Sequence, residues 1–257
     1  MLAYSGAITK EAFIAELEHH KAQDSYVKGI YWEEGKGCAV GCAIESINKL
    51  TKQSLNHSSH IELERAGICP EWLARLQDSI FEQLSMAEAK EWPLEFARAI
   101  NVGSDLNKVK LPFICYILEQ NIENMQAQLE YVTGDAKYHT EQALAVNKQM
   151  LKAQLSGDRA MIESARDAAR SAADSPYYSV RSVRSTIESA RSASSTVESV
   201  RSAVDSAVDS AAFSARLARL YSADSSYCSV RSAYCSAHSE AWAKYANKLL
   251  KLIRECV

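Results

Sequence analysis

The sequence predicts a mainly α-helical protein in two parts. An N-terminal helical domain over 1–157 holds at most a short β-hairpin, and the Ser/Ala-rich remainder, 158–257, forms long helices in a coiled coil or helical bundle. Three observations predict this. Apolar residues recur at steps of three and four through most of the first part. All nine glycines lie at or before Gly157. A seven-residue period, which belongs to helices and not to strands, runs through the second part.

Taken in order, Thr9 is placed to cap a first helix in TKEAFIAELEHHKAQ, where Phe13, Ile14 and Leu17 share one face. VKGIYWEEGKG interrupts the helical spacing: β-branched and aromatic residues between glycines predict a strand or hairpin arm around Tyr31. Helical spacing returns in CAVGCAIESINKL through Val40, Ile44, Ile47 and Leu50. Gly67 is expected to stop a short helix, and Pro70 to open PEWLARLQDSIFEQL, where Leu73, Leu76, Ile80 and Leu84 line up. Pro93 is read as the opening of another short helix, WPLEFARAI. From Leu111 through Cys115, Leu118, Ile122 and Met125 to Val132 the apolar residues step by four and three, a heptad seam ended by Thr133 and Gly134. A further helix spans roughly Tyr138 to Leu155.

In the second part Ser185, Ser192, Ser199 and Ser206 share one heptad phase, and Val183, Ala190, Val197, Val204 and Ala211 another. Small residues at a seam let helix axes approach but bury little area each. Arg184 and Arg191 around Glu188, and Arg201 before Asp205, are spaced for ion pairs along a helix. Phe213, Leu220, Tyr227 and Tyr234 fall in one phase, with Cys228, Cys235 and Trp242 in the next. Such an aromatic stripe requires a partner helix, from the same chain or from a second copy. SPYYS at 175–179 reads as a corner. Serine content keeps a solvated, disordered tail as the competing reading.

Residues 1–157 carry 15 Lys+Arg against 21 Asp+Glu, net −6, and 158–257 carry 14 against 11, net +3. Neither half has the charge of a dedicated nucleic-acid binder. No apolar run is long enough to span a bilayer, and the start lacks the pattern of a secretory signal, so a soluble cytoplasmic protein is expected. Seven cysteines, an odd number, are expected as reduced thiols.

YWEEGKGCAVGC, residues 31–42, is the stretch with the most chemistry. It lacks the spacing and the hydroxyl of a Walker loop, so an NTPase is not expected. Lys36 and Gly37 before a helix could offer N–H groups and one ammonium to an anion, with Glu33 and Glu34 opposing. Cys38 and Cys42 stand one helical turn apart, as two metal ligands would, and His19, His20, His57 and His60 could supply others. Without a second matched pair, however, core cysteines are the preferred reading and no metal or cofactor is expected. A nucleophilic Cys38 would need a histidine base such as His57 or His20. His19 and His20 read as a solvated pair at a helix C-terminus, and Trp32 and Trp72 as core or interface anchors. The ligand-binding candidates are therefore Trp32, Lys36, Gly37, Cys38 and His57, and the interface candidates Phe213, Leu220, Tyr227, Tyr234 and Trp242.

GIYWEEGKGCAVGC, GICPEWLARLQDSIFEQL, WPLEFARAI and GSDL, followed by the heptad tail, resemble a family of tailed-bacteriophage and prophage proteins with an N-terminal YWxxGKGCAVGC domain and a Ser/Ala-rich tail. The resemblance implies a setting, the infected bacterial cytoplasm, and not a mechanism. Where those proteins have Tyr/Ala and Trp/Ala pairs in the tail, this chain has Val and Arg. The expectation that follows is a non-enzymatic accessory protein that oligomerises and blocks or sequesters a host protein or small nucleotide signal, as an inhibitor of anti-phage defence. The alternative is a small enzyme acting on a nucleotide or phosphoester around Lys36 and Cys38.

Overall fold

The computed structural model describes residues 2–173, 197–220 and 227–257, with backbone alone at 170–173, 197–199, 213–214, 216–220 and 227–234. Ten α-helices and one 3-10 turn lie among them, so the chain is mainly helical as predicted. Extended segments meet only in isolated bridges among the described residues: Leu2 with Asp105, Tyr26 with Gly37, and Glu33 with Lys36. The hairpin arm expected around Tyr31 is thus a tight turn closed by one bridge. A helix begins at Ala39, immediately after that turn, and leaves no length for a ladder. The chain falls into two compact units, 1–110 with 246–257, and 111–245, a division that differs from the change in composition at Gly157.

In the first unit α1 (Lys10–Ala22), α2 (Ala39–Thr51), α3 (Ile61–Arg65), α4 (Glu71–Gln83) and α5 (Met86–Ala99) enclose a core that includes Phe13, Leu17, Ile44, Ile47, Leu73 and Phe81. The Thr9 hydroxyl accepts the Ala12 N–H at 3.2 Å, the cap expected for α1. Helix α5 starts seven residues before Pro93, which lies inside it. The reason is a capping box: the Ser85 hydroxyl accepts the Glu88 N–H, and the Glu88 carboxylate accepts the Ser85 N–H. Two satisfied helix-end donors outweigh the one ladder bond that Pro93 removes.

The last residues return to this unit. Leu249, Leu250 and Ile253 are buried. The Asn101 side-chain amide donates to the carbonyls of Arg254 and Cys256, both at 3.0 Å, and the Cys256 thiol to the Asp105 carbonyl at 3.3 Å.

The second unit is built from α6 (Lys110–Gln128), α7 (Gly134–Ser156), α8 (Arg159–Ala173), α9 (Val197–Leu220) and most of α10 (Tyr227–Glu255). Helix α6 ends at Gln128, short of the predicted stop. Cys115, Leu118 and Met125 of its expected seam are buried, while Leu111 is 46 % exposed and the buried Asn121 donates to Asn147 at 3.3 Å. The buried face is thus turned from the expected seam, with Ile114, Ile117 and Asn121 buried and Ile122 half-buried. On α9, Val200, Ala203, Val204, Ala207, Val208 and Ala212 are fully buried, one helical face of small side chains. The Arg201 and Asp205 side chains pair at 3.8 Å, as their spacing predicts.

Trp242 is 1 % exposed within the single chain. The side chains of Phe213, Leu220, Tyr227 and Tyr234, the corner at 175–179 and the Arg184, Glu188 and Arg191 set lie outside the described residues. The six cysteines described are free thiols, as expected. No helix among the described residues is long and apolar enough to cross a membrane.

Candidate functional site

The stretch between α1 and α2 is held in place by two contacts with α4 and by hydrogen bonds of its own backbone. The Lys28 ammonium donates to the Leu84 carbonyl at the end of α4. The Gly29 N–H lies 3.1 Å from both carboxylate oxygens of Glu82. Glu33 and Lys36 exchange backbone hydrogen bonds of 2.8 and 2.9 Å, with Glu34 and Gly35 at φ 49° and 80°. Two successive positive φ values make this a type I′ turn, for which glycine is suited at Gly35.

Gly37 and Gly41 serve another purpose. A Cβ on Gly37 would stand 2.1 Å, and one on Gly41 1.4 Å, from the Tyr31 carbonyl oxygen. The Tyr31 backbone therefore lies directly against the first turn of α2, an approach that only glycine permits.

This packing occupies the donors that an anion would use. The Lys36 N–H goes to Glu33, the Gly37 N–H to Ser25, and the Cys38 N–H to Ile30. The Gly41 N–H goes to the Cys38 sulfur, at 3.5 Å, which makes Cys38 the cap of α2. Lys36 itself lies on the exposed turn. The phosphate cradle considered for Lys36 and Gly37 has its backbone N–H groups already satisfied.

Above this backbone stands a layer of rings. Trp32 stacks on His57 with centroids 5.5 Å apart and planes 13° apart, and His57 Nε2 lies 2.9 Å from Glu45. Trp32 also meets His20, with centroids 5.5 Å apart and planes nearly perpendicular. Tyr31, 42 % exposed, meets His60 edge-on at 5.9 Å, and the neighbouring Ile30 is 43 % exposed.

His60 Nε2 is 3.1 Å from Asp78 Oδ2, and one ligand atom each from Cys38, Asp78 and Glu82 lie within 4.8 Å of one another. Burial, and then the Asp78 charge, push the Cys38 thiol up from its ordinary range. Burial pushes Cys42 up to about 12 and Glu82 above the usual carboxylate range, the latter against the Gly29 hydrogen bond.

The structure thus brings together Trp32, Gly37, Cys38 and His57, with Lys36 on the turn beside them. Cys38 and Cys42 do not face a common ligand. The Cys42 thiol donates to the Gly37 carbonyl at 3.4 Å, whereas Cys38 faces two carboxylates of α4. His19 and His20 are not a solvated pair: His19 is exposed, but His20 is buried against Trp32 and Tyr26, with Nε2 unpartnered. Sequence reasoning missed Asp78, Glu82 and Glu45. The signal for the first two is D-x-x-x-E, a pair one turn apart and so on one side of an amphipathic helix. A cavity of about 310 Å³ lined by Ile47, Thr51, Leu55, Glu62 and Arg65 contains none of these residues. The chain matches no family model, no curated protein and no solved structure.

Proposed function

We propose that the chain is a non-enzymatic phage accessory protein that recognises a host factor through the ring layer of residues 30–32. It assembles through its helical tail in the host cytoplasm and acts as an inhibitor of anti-phage defence. The observation that supports recognition here is the pair of exposed side chains, Ile30 and Tyr31, on a backbone packed against two glycines. Large apolar side chains presented on a rigid base lose little entropy on binding, which is what a recognition surface requires. The resemblance to phage proteins through the same stretch supplies the setting. A nucleophilic Cys38 fits the geometry less well, since burial and the neighbouring Asp78 carboxylate both push its thiol pKa up.

The partner is a host protein or a small nucleotide, and one experiment separates them. Tagged full-length protein, and a folded Ile30→Asp, Tyr31→Ala variant, are recovered from bacterial lysate. Co-purifying proteins and small molecules released on denaturation are then identified by mass spectrometry. A partner held by the parent and lost by the variant supports the reading. Equal recovery by both removes the ring layer as the recognition surface. Light scattering on the parent tests assembly, and a monomer would end the oligomeric part.

A further inference from the structure

We propose that Cys38, Asp78 and Glu82 bind a divalent metal ion of the zinc class, which fastens the 28–38 stretch to α4. The three donors come from two elements. Cys38 caps α2, while Asp78 and Glu82 sit one turn apart on α4 and so project from one face. Their ligand atoms already lie within 4.8 Å of one another. Zinc holds sulfur at about 2.3 Å and carboxylate oxygen at about 2.0–2.2 Å, so small side-chain rotations close the set around an ion.

A second observation points to a cation. Asp78 is 9 % exposed, and its Oδ1 is buried and accepts no N–H or O–H, with only the weakly donating Cys38 thiol facing the carboxylate. A buried carboxylate oxygen left unmatched is costly, and a cation among the three donors supplies the missing interaction. The outer hydrogen bonds that orient carboxylate ligands are in place: His60 on Asp78 Oδ2 at 3.1 Å, and the Gly29 N–H on Glu82 at 3.1 Å.

One thiolate and two carboxylates form a mixed set that suits zinc or cobalt better than magnesium or calcium, which take oxygen alone. On binding, the ion takes the place of the Cys38 thiol proton, which passes to solvent. Three protein donors leave a fourth position for water. This site stands independently of the recognition reading, because it uses none of the exposed rings.

The test is cobalt titration of chelator-treated full-length protein, followed by displacement with zinc. One equivalent of cobalt is expected to give a thiolate charge-transfer band with tetrahedral visible absorption, lost when zinc is added. Cys38→Ser and Glu82→Gln should each abolish the stoichiometric band, while Cys42→Ser, Cys235→Ser and Tyr31→Ala should keep it. If Cys38→Ser does not fold, Glu82→Gln with unchanged helicity decides the matter. A folded parent with no band overturns the proposal, as does a band that survives Cys38→Ser or disappears with Cys235→Ser. Because Tyr31→Ala is expected to lose the partner and keep the metal, the two readings fail separately.

Discussion

Gly41→Ala should destabilise the protein, although alanine is the better helix former. Gly41 lies in the first turn of α2, where propensity alone predicts a gain of about 1 kcal/mol. The new Cβ, however, would stand 1.4 Å from the Tyr31 oxygen, and ordinary contact begins at 3.4 Å, so that backbone must retreat by about 2 Å. Such a retreat breaks the 2.7 Å hydrogen bond from the Cys38 N–H to Ile30, worth about 1 kcal/mol. It also separates Tyr31 from His60 and Trp32 from His57, ring contacts worth roughly 0.5–1.5 kcal/mol each. The net loss is about 2 kcal/mol, within the usual range for overpacking. Followed by circular dichroism, the melting temperature should fall by about 4–8 °C. Tryptophan fluorescence should shift as Trp32 leaves His57. An unchanged or higher melting temperature would refute the packing of Tyr31 on α2.

Three further outcomes are expected. Burial holds His20 below its ordinary pKa of 6.5, with Glu16 and Glu45 pulling it up and His19 and Lys49 pulling it down. The unfolded chain therefore takes up this proton first. Stability is full above about pH 6.5, falls as pH drops below it by at most about 1.4 kcal/mol per unit, and levels off below the folded pKa. Urea midpoints between about pH 8 and pH 5 should show this slope, and His20→Phe should flatten it. Ser85→Ala removes half of the α5 capping box and should cost about 1 kcal/mol in a urea melt, with Ser85→Asp costing less. Truncation after Tyr245 removes buried Leu249, Leu250 and Ile253, each worth roughly 1.5–3 kcal/mol. That sum is comparable with the whole stability of a domain, so the first unit should lose its cooperative melting in both the truncated chain and a 1–157 fragment. A sharp transition in the 1–157 fragment, which lacks most of the second unit, would show that the first unit stands without its C-terminal segment.

The limits of the sequence reading are clearest at α5 and α6. Pro93 was a strong local cue for a helix start, yet the weaker-looking Ser85 and Glu88 pair set it, because two matched hydrogen bonds outweigh one missing donor. The apolar steps after Leu111 predict a regular seam, but the buried face is turned from it and includes Asn121, which bonds to Asn147. Asn121 was visible in the sequence, but its partner lies on another helix 26 residues away. The same separation hid the candidate site. Cys38 and His57 could be named from YWEEGKGCAVGC and its surroundings, whereas Asp78 and Glu82 looked like ordinary polar positions of an amphipathic helix.

What the sequence determined by itself was local: the helical class, the Thr9 cap of α1 and the pairing of Arg201 with Asp205. Each follows from interactions within a few residues, which spacing and residue type specify directly. The tertiary structure alone decided that Gly41 makes room for the Tyr31 backbone, that His20 is buried while His19 is not, and that residues 246–257 complete the first unit. It also decided that one cysteine of the Cys38 and Cys42 pair faces two carboxylates and the other a carbonyl. These outcomes depend on which surfaces meet when distant segments exclude water together. That choice is made by the burial and shape of the whole core, and no short window of sequence contains it.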